Sequence, residues 1–107
     1  MGQDGHFASI FPSIPIYKKL LCIKDKPAIY LVQKAGIPFC ERITINLSMI
    51  MKSKKVVLLI NTKKKLNRLR SAMLSGKDSN LPVLQLIFSL KNKINIIYKN
   101  NFIKMKK

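Results

Sequence analysis

Proton chemistry near neutral pH calls for an imidazole, and this 107-residue chain has a single histidine, His6. It stands two positions after Asp4 in the opening stretch Met1-Gly2-Gln3-Asp4-Gly5-His6. An aspartate at that spacing can orient the ring and stabilise its cationic form, as a general base acting on water requires. Gly2 and Gly5 flank the acid and mark a tight turn, because glycine tolerates positive φ and lets a ligand approach the main chain. The apolar residues Phe7, Ala8, Ile10 and Phe11 are expected to anchor this turn in a core, and Pro12 to end it. On residue types alone, a structural histidine and a catalytic one both fit.

A second cluster follows the apolar run Val56-Val57-Leu58-Leu59-Ile60, in Asn61-Thr62-Lys63-Lys64-Lys65. In open α/β sheets ligands lie beyond the carboxyl ends of strands, where loops meet helix N-termini. Backbone N–H donors, the helix dipole and a lysine there make a ready phosphate site. A solvated basic helix face explains the same residues.

The elements that must position these groups are read from periodicity. Ala28–Val32 and Glu41–Asn46 read as strands, with Gln33–Pro38 as the connecting loop. Leu47–Ser53 reads as a short helix capped by Asn46. Val56–Ile60 has the unbroken apolar character of a strand buried on both faces. Lys63–Leu74 is expected to be a helix with Leu66, Leu69, Met73 and Leu74 inward, and Gly76 just past its end. Asn80 is expected to cap a further helix with Pro82 in its first turn and Leu81, Leu84, Ile87 and Leu90 as the buried stripe. Ile94–Tyr98 is the last strand. The chain is read as one partial domain over residues 1–107, with a basic tail over 99–107 expected to fray. Strands alternating with helices imply an α/β fold with a mainly parallel sheet.

Composition narrows the classes. No apolar run is long enough to span a bilayer, and no basic segment followed by an apolar core suggests a signal peptide. Cys22 and Cys40 lie far apart without metal-ligand spacing and are expected to be free, buried thiols in a reducing compartment, the cytoplasm. The net charge of +17 raises the question of a nucleic-acid partner. Arginine, which supplies bidentate and stacked contacts to nucleic acid, is confined to Arg42, Arg68 and Arg70, and the lysines run from Lys18 to Lys107 without forming a stripe. Compositional bias toward Lys, Ile and Asn explains the charge better, and a small basic nucleic-acid-binding protein is kept as an alternative.

The opening stretch resembles the G-M-G-x-D-G-H-T-A-S-L-F-P signature of 6-phosphogluconolactonases, in the glucosamine-6-phosphate isomerase/deaminase superfamily. Met1, Gly2, Asp4, Gly5, His6, Ala8, Ser9, Phe11 and Pro12 match, while Phe7 replaces Thr and Ile10 replaces Leu. The deaminase branch reads D-G-H-I-A-F-N-E-P, so Ala8 to Pro12 follows the lactonase branch. Arg42-Ile43-Thr44 matches the family's R-I-T-L-T segment. Lys65 falls on the lysine of its T-G-x-x-K motif if Asn61-Thr62 replaces Thr-Gly, an exchange expected to weaken phosphate binding. Leu69–Leu74 and Leu81-Pro82-Val83 resemble the family's helix and L-P-A-S turn.

The resemblance implies an incomplete Rossmann-like parallel sheet with flanking helices, the C-terminal half of a lactonase-type fold. It implies hydrolysis of 6-phosphogluconolactone to 6-phosphogluconate, in the oxidative pentose phosphate pathway, without metal or organic cofactor. His6 would be the general base and Asp4 its orienting partner. Gly2 and Gly5 would shape the pocket and Lys65 would hold the phosphate, with Arg42 bracing its strand or helping the site. The family's G-G-S-T-P loop and D-E-R segment have no counterpart here. The expectation is therefore a half-chain completed by a separate N-terminal polypeptide, or a non-catalytic remnant. Half a sheet leaves an edge and apolar faces uncovered, so the isolated chain is expected to be poorly stable or prone to aggregate.

Overall fold

A computed structural model describes residues 1–36, 38–76, 80–98 and 101–103. After the turns of the N-terminal segment comes a one-turn helix, α1 (Tyr17–Leu20), then β1 (Ile29–Ala35), β2 (Cys40–Ile45) and the short α2 (Leu47–Ile50). The second part holds β3 (Val56–Ile60), α3 (Lys63–Ser75), α4 (Pro82–Leu90), a 3-10 turn over Lys91–Lys93, β4 (Ile94–Tyr98) and β5 (Asn101–Ile103).

The expected α/β class holds, with a small parallel sheet flanked by helices. β3 and β4 pair in parallel, Val56 opposite Ile94 through Ile60 opposite Tyr98, and β5 adds antiparallel to β4. β1 and β2 instead form their own antiparallel hairpin, Ile29 opposite Ile45, with an irregularity between Val32 and Ala35. β1 therefore runs three residues further than its apolar run suggests. Within the tail expected to fray, Asn101–Ile103 is β5, and residues 99, 100 and 104–107 lie outside the described residues.

α4 is the centre of the core. Val83, Leu84, Leu86, Ile87 and Leu90 are all buried, as an apolar helix wrapped on most sides must be. In the same core cluster are Ile60 and Leu58 of β3, Leu69 of α3, and Ile10, Phe11, Leu20 and Leu47 from the first part of the chain. Asn46 caps α2 as expected, its Oδ1 accepting from the Met49 N–H at 3.0 Å and from the Ala28 N–H at 3.2 Å. That fully buried amide ties the hairpin to the helix after it.

Four expectations are corrected. β3 is buried on one face only: Leu58 and Ile60 face the core, while Val57 and Leu59 are 53% and 62% exposed, because among the described residues no layer covers their side. Leu74 is 91% exposed, since it falls on the far side of α3 from Leu66 and Leu69, and Ala72 completes the inward stripe instead. The cap position of α4 is Leu81, not Asn80, and makes no side-chain cap bond. The thiols are not both buried, for Cys22 is half-buried and Cys40, at the mouth of the hairpin, is exposed.

Candidate active-site loop and its supports

The histidine turn is closed by its own backbone. The Gly5 N–H donates to the Gly2 carbonyl at 3.1 Å, and the Gly2 N–H to the His6 carbonyl at 2.9 Å. Gly5 sits at φ +84°, a region that L side chains occupy only under strain. Its carbonyl accepts from the Val83 N–H at 2.9 Å, which supplies the capping contact that Asn80 does not make. The site loop is thus clipped to the start of the most buried helix in the molecule.

Inside the turn, Asp4 Oδ1 receives the His6 backbone N–H at 3.1 Å and lies 2.6 Å from His6 Nδ1. An ionised carboxylate can only accept, so in the neutral ring the tautomer that suits this contact carries its hydrogen on Nδ1 and its lone pair on Nε2. The two side chains remain 29% and 45% exposed, enough for water to reach the ring. A Cβ on Gly2 would overlap the imidazole, so a side chain there would evict the ring from its place beside Asp4. Phe7, Ile10 and Phe11 are buried as expected, whereas Ala8 is exposed at φ +49° and turns the chain between them.

The hairpin supports the loop from the other side. The His6 ring packs on Phe11 at 4.1 Å between centroids, and the Arg42 guanidinium lies 5.4 Å from the Phe11 centroid. Arg42 Nε donates to the Ala35 carbonyl and Nη2 to the Pro38 carbonyl, each at 2.6 Å. Gly36, at φ +77°, leaves room for both Phe11 and Arg42. Thr44 Oγ1 accepts from the Ser9 N–H at 3.1 Å. Arg42 and Thr44 therefore hold the loop rather than face open space beside His6.

Lys65 sits in the first turn of α3, beyond the carboxyl end of β3. Thr62 caps that helix, accepting from the Lys65 N–H at 3.2 Å, and Lys65 Nζ donates to Asn61 Oδ1 at 3.0 Å. On the neighbouring side the Met1 ammonium donates to the Leu59 carbonyl at 3.2 Å. Burial, and then the charge of Lys65, hold that amine below its ordinary range. The Met1 amine thus lies by the edge of β3 and feels the charge of Lys65, while Gly2 next to it packs on the imidazole. Among the described residues no hydrogen bond or ion pair joins Lys65 to Asp4 or His6.

Sequence reasoning missed Arg68 and Ser71. A cavity of about 440 Å³ beside Asp4 is lined by Pro12, Arg68, Ser71 and Asn80, and an adjoining one by Gln3, Lys64, Arg68 and Ser71. The signal was the spacing Lys64, Arg68, Ser71, which lines up three exposed polar side chains on one face of α3 beside the loop. Among the described residues, no group of His, Cys, Asp and Glu side chains could hold a metal ion, and no helix is long and apolar enough to cross a membrane.

The family model for glucosamine-6-phosphate isomerases/6-phosphogluconolactonase matches residues 1–94. The chain belongs to this family. Among curated relatives, the 6-phosphogluconolactonases of two Helicobacter pylori strains are each 27% identical over 101 residues, covering 94% of this chain and 42% of the relative. The chain therefore spans less than half the length of the curated family members it matches. No solved structure matches it.

Proposed function

We propose that this chain carries the acid–base half of a 6-phosphogluconolactonase site, acting on a sugar-phosphate lactone. The observation that carries the reading is the 2.6 Å contact between Asp4 Oδ1 and His6 Nδ1, on a histidine side chain that is 29% exposed. In the reaction, Nε2 takes a proton from water as its oxygen attacks the lactone carbonyl carbon. The ring C–O bond then breaks, and the imidazolium returns that proton to the departing oxygen. Asp4 holds the tautomer and offsets the transient positive charge. Gly2 gives the ring its space, and the clipped Gly5 turn fixes it against α4. Lys65 binds the phosphate, exchanging its bond to Asn61 for one to the anion. Arg42 acts through Phe11 as a positioning residue. Opening an activated ester of this kind needs neither metal nor organic cofactor, and the reaction belongs to cytoplasmic carbohydrate metabolism.

A second reading, a non-catalytic remnant, is favoured by the uncovered Val57 and Leu59 face. Hydrolysis of the lactone by the chain, with His6→Ala as control, separates the two. Turnover lost in the variant supports the catalytic reading. Equal rates in both proteins, at the level of spontaneous hydrolysis, favour the remnant. Little turnover is expected of the chain alone, so the assay should be repeated with any N-terminal half supplied as a second polypeptide.

A further inference from the structure

We infer that the groove between α1 and α4, with the cavity adjoining it along α3, binds a nucleoside monophosphate, the base in the groove and the phosphate at Arg68. The groove holds about 260 Å³ and is lined by Tyr17 of α1 and by Leu84, Gln85 and Phe88 of α4. Phe88 is 39% exposed and Tyr17 half-buried, so a ligand can reach both rings. The carboxamides of Asn80 and Gln85 also line it; both residues are exposed, and Asn80 makes no capping bond to α4. A planar heteroaromatic ring suits these walls. Its faces stack on aromatic side chains, while its edge carries donors and acceptors that a carboxamide can match. A sugar ring, with hydroxyls on every side, would leave most of them against leucine.

Charge divides the ligand. The chain has 21 lysines and arginines, yet among the described residues none of them lines the groove, so the part received there is uncharged. Asn80 and Leu81 line both spaces, and beyond them the cavity of about 440 Å³ presents Arg68 with the hydroxyls of Ser71 and Ser75. Arg68 makes no ion pair among the described residues, and the carboxylate lining this cavity, that of Asp4, is engaged by His6. A guanidinium with hydroxyl donors beside it matches a phosphate group. Joined at Asn80, the two spaces fall within the range of small-molecule sites, about 300–1,000 Å³. The inference goes beyond the lactonase reading and asks nothing of Lys65 or of the proton on His6.

The test titrates the whole chain, labelled with 15N, with adenosine monophosphate, adenosine, ribose 5-phosphate and inorganic phosphate at one fixed salt concentration. Adenosine monophosphate is expected to shift the amides of Leu84, Gln85 and Phe88 together with those of Arg68 and Ser71. It should bind about tenfold more tightly than ribose 5-phosphate, the contribution of one stacked base. Phe88→Ala should weaken the nucleotide about tenfold and leave ribose 5-phosphate unchanged. Arg68→Gln should weaken the nucleotide about fivefold and leave adenosine unchanged. If Phe88→Ala fails to fold, the ratio of adenosine monophosphate to ribose 5-phosphate on the unchanged protein decides by itself. Ribose 5-phosphate or inorganic phosphate binding as tightly as the nucleotide means an adventitious ion only and overturns the groove as the base site. Adenosine binding as tightly overturns Arg68 as the phosphate partner. Shifts at Asn61 and Lys65 instead, or none at about 10 mM nucleotide, overturn the site as a whole.

Discussion

Replacing Gly5 with alanine tests the clip that joins the histidine turn to α4. Two penalties arise at one atom. At φ +84° an L side chain costs about 1–2 kcal/mol. The new methyl would also overlap the Cβ and Cγ of Leu81, a residue only 7% exposed and followed directly by Pro82. Overpacking of this kind costs about 1–3 kcal/mol. Relief by swinging the turn away breaks the 2.9 Å bond from the Val83 N–H to the Gly5 carbonyl, worth about 0.5–1.5 kcal/mol, so the smaller of these two losses applies. The expected destabilisation is about 2–3 kcal/mol. A chain of this size has net stability on the order of 5 kcal/mol at the low end of the usual range, so the change removes close to half of it. Urea unfolding followed by circular dichroism, with sucrose in both samples to secure a folded baseline, should show the midpoint falling by about 1–2 M at unchanged slope. A midpoint within about 0.3 M of the parent would refute the reasoning, since the clip would then carry no strain and no packing.

Other expectations concern charge. The Met1 ammonium is depressed below its ordinary 8.0 in the fold, by burial first and by Lys65 second. Between its folded value and 8.0 the unfolded chain therefore binds more protons, so stability should rise with pH through that window and level off above it. Acetylating the amine, which keeps an N–H for Leu59, should remove this slope from a series of thermal midpoints. Arg42→Lys should lose the paired bonds to Ala35 and Pro38 and the contact with Phe11, costing about 1–2 kcal/mol in urea unfolding and broadening the His6 ring resonances. Unchanged His6 resonances would show that Arg42 does not position the ring.

The parts of the fold legible in the sequence are those whose causes are local. Val56–Ile60 and Ile94–Tyr98 coincide with their apolar runs, and Asn46 caps α2 because its side chain needs only the next turn. Partners were not legible. β-branched and aromatic content marked β1 as a strand and alternation marked β2, but neither showed their pairing with each other, and an apolar run says nothing about which of its faces will be covered. Asn80 seemed the natural cap for α4, but the group that meets the helix start is the carbonyl of Gly5, far away in the chain. The site divides in the same way. The Asp4–His6 contact follows from spacing within one turn, whereas Arg42 reaches the ring only through Phe11, and Arg68 comes to the cavity only once α3 is docked.

The imidazole is braced by the hairpin as well as by the clip to α4: Phe11, Arg42 and Thr44 connect it to β1 and β2, whose ladder is separate from that of β3, β4 and β5. Opening the hairpin would remove one of the ring's supports while leaving the second ladder standing. As the protein is warmed, the surroundings of one histidine should therefore change ahead of overall structure, and its ring resonances rather than the global melting curve report that early loss.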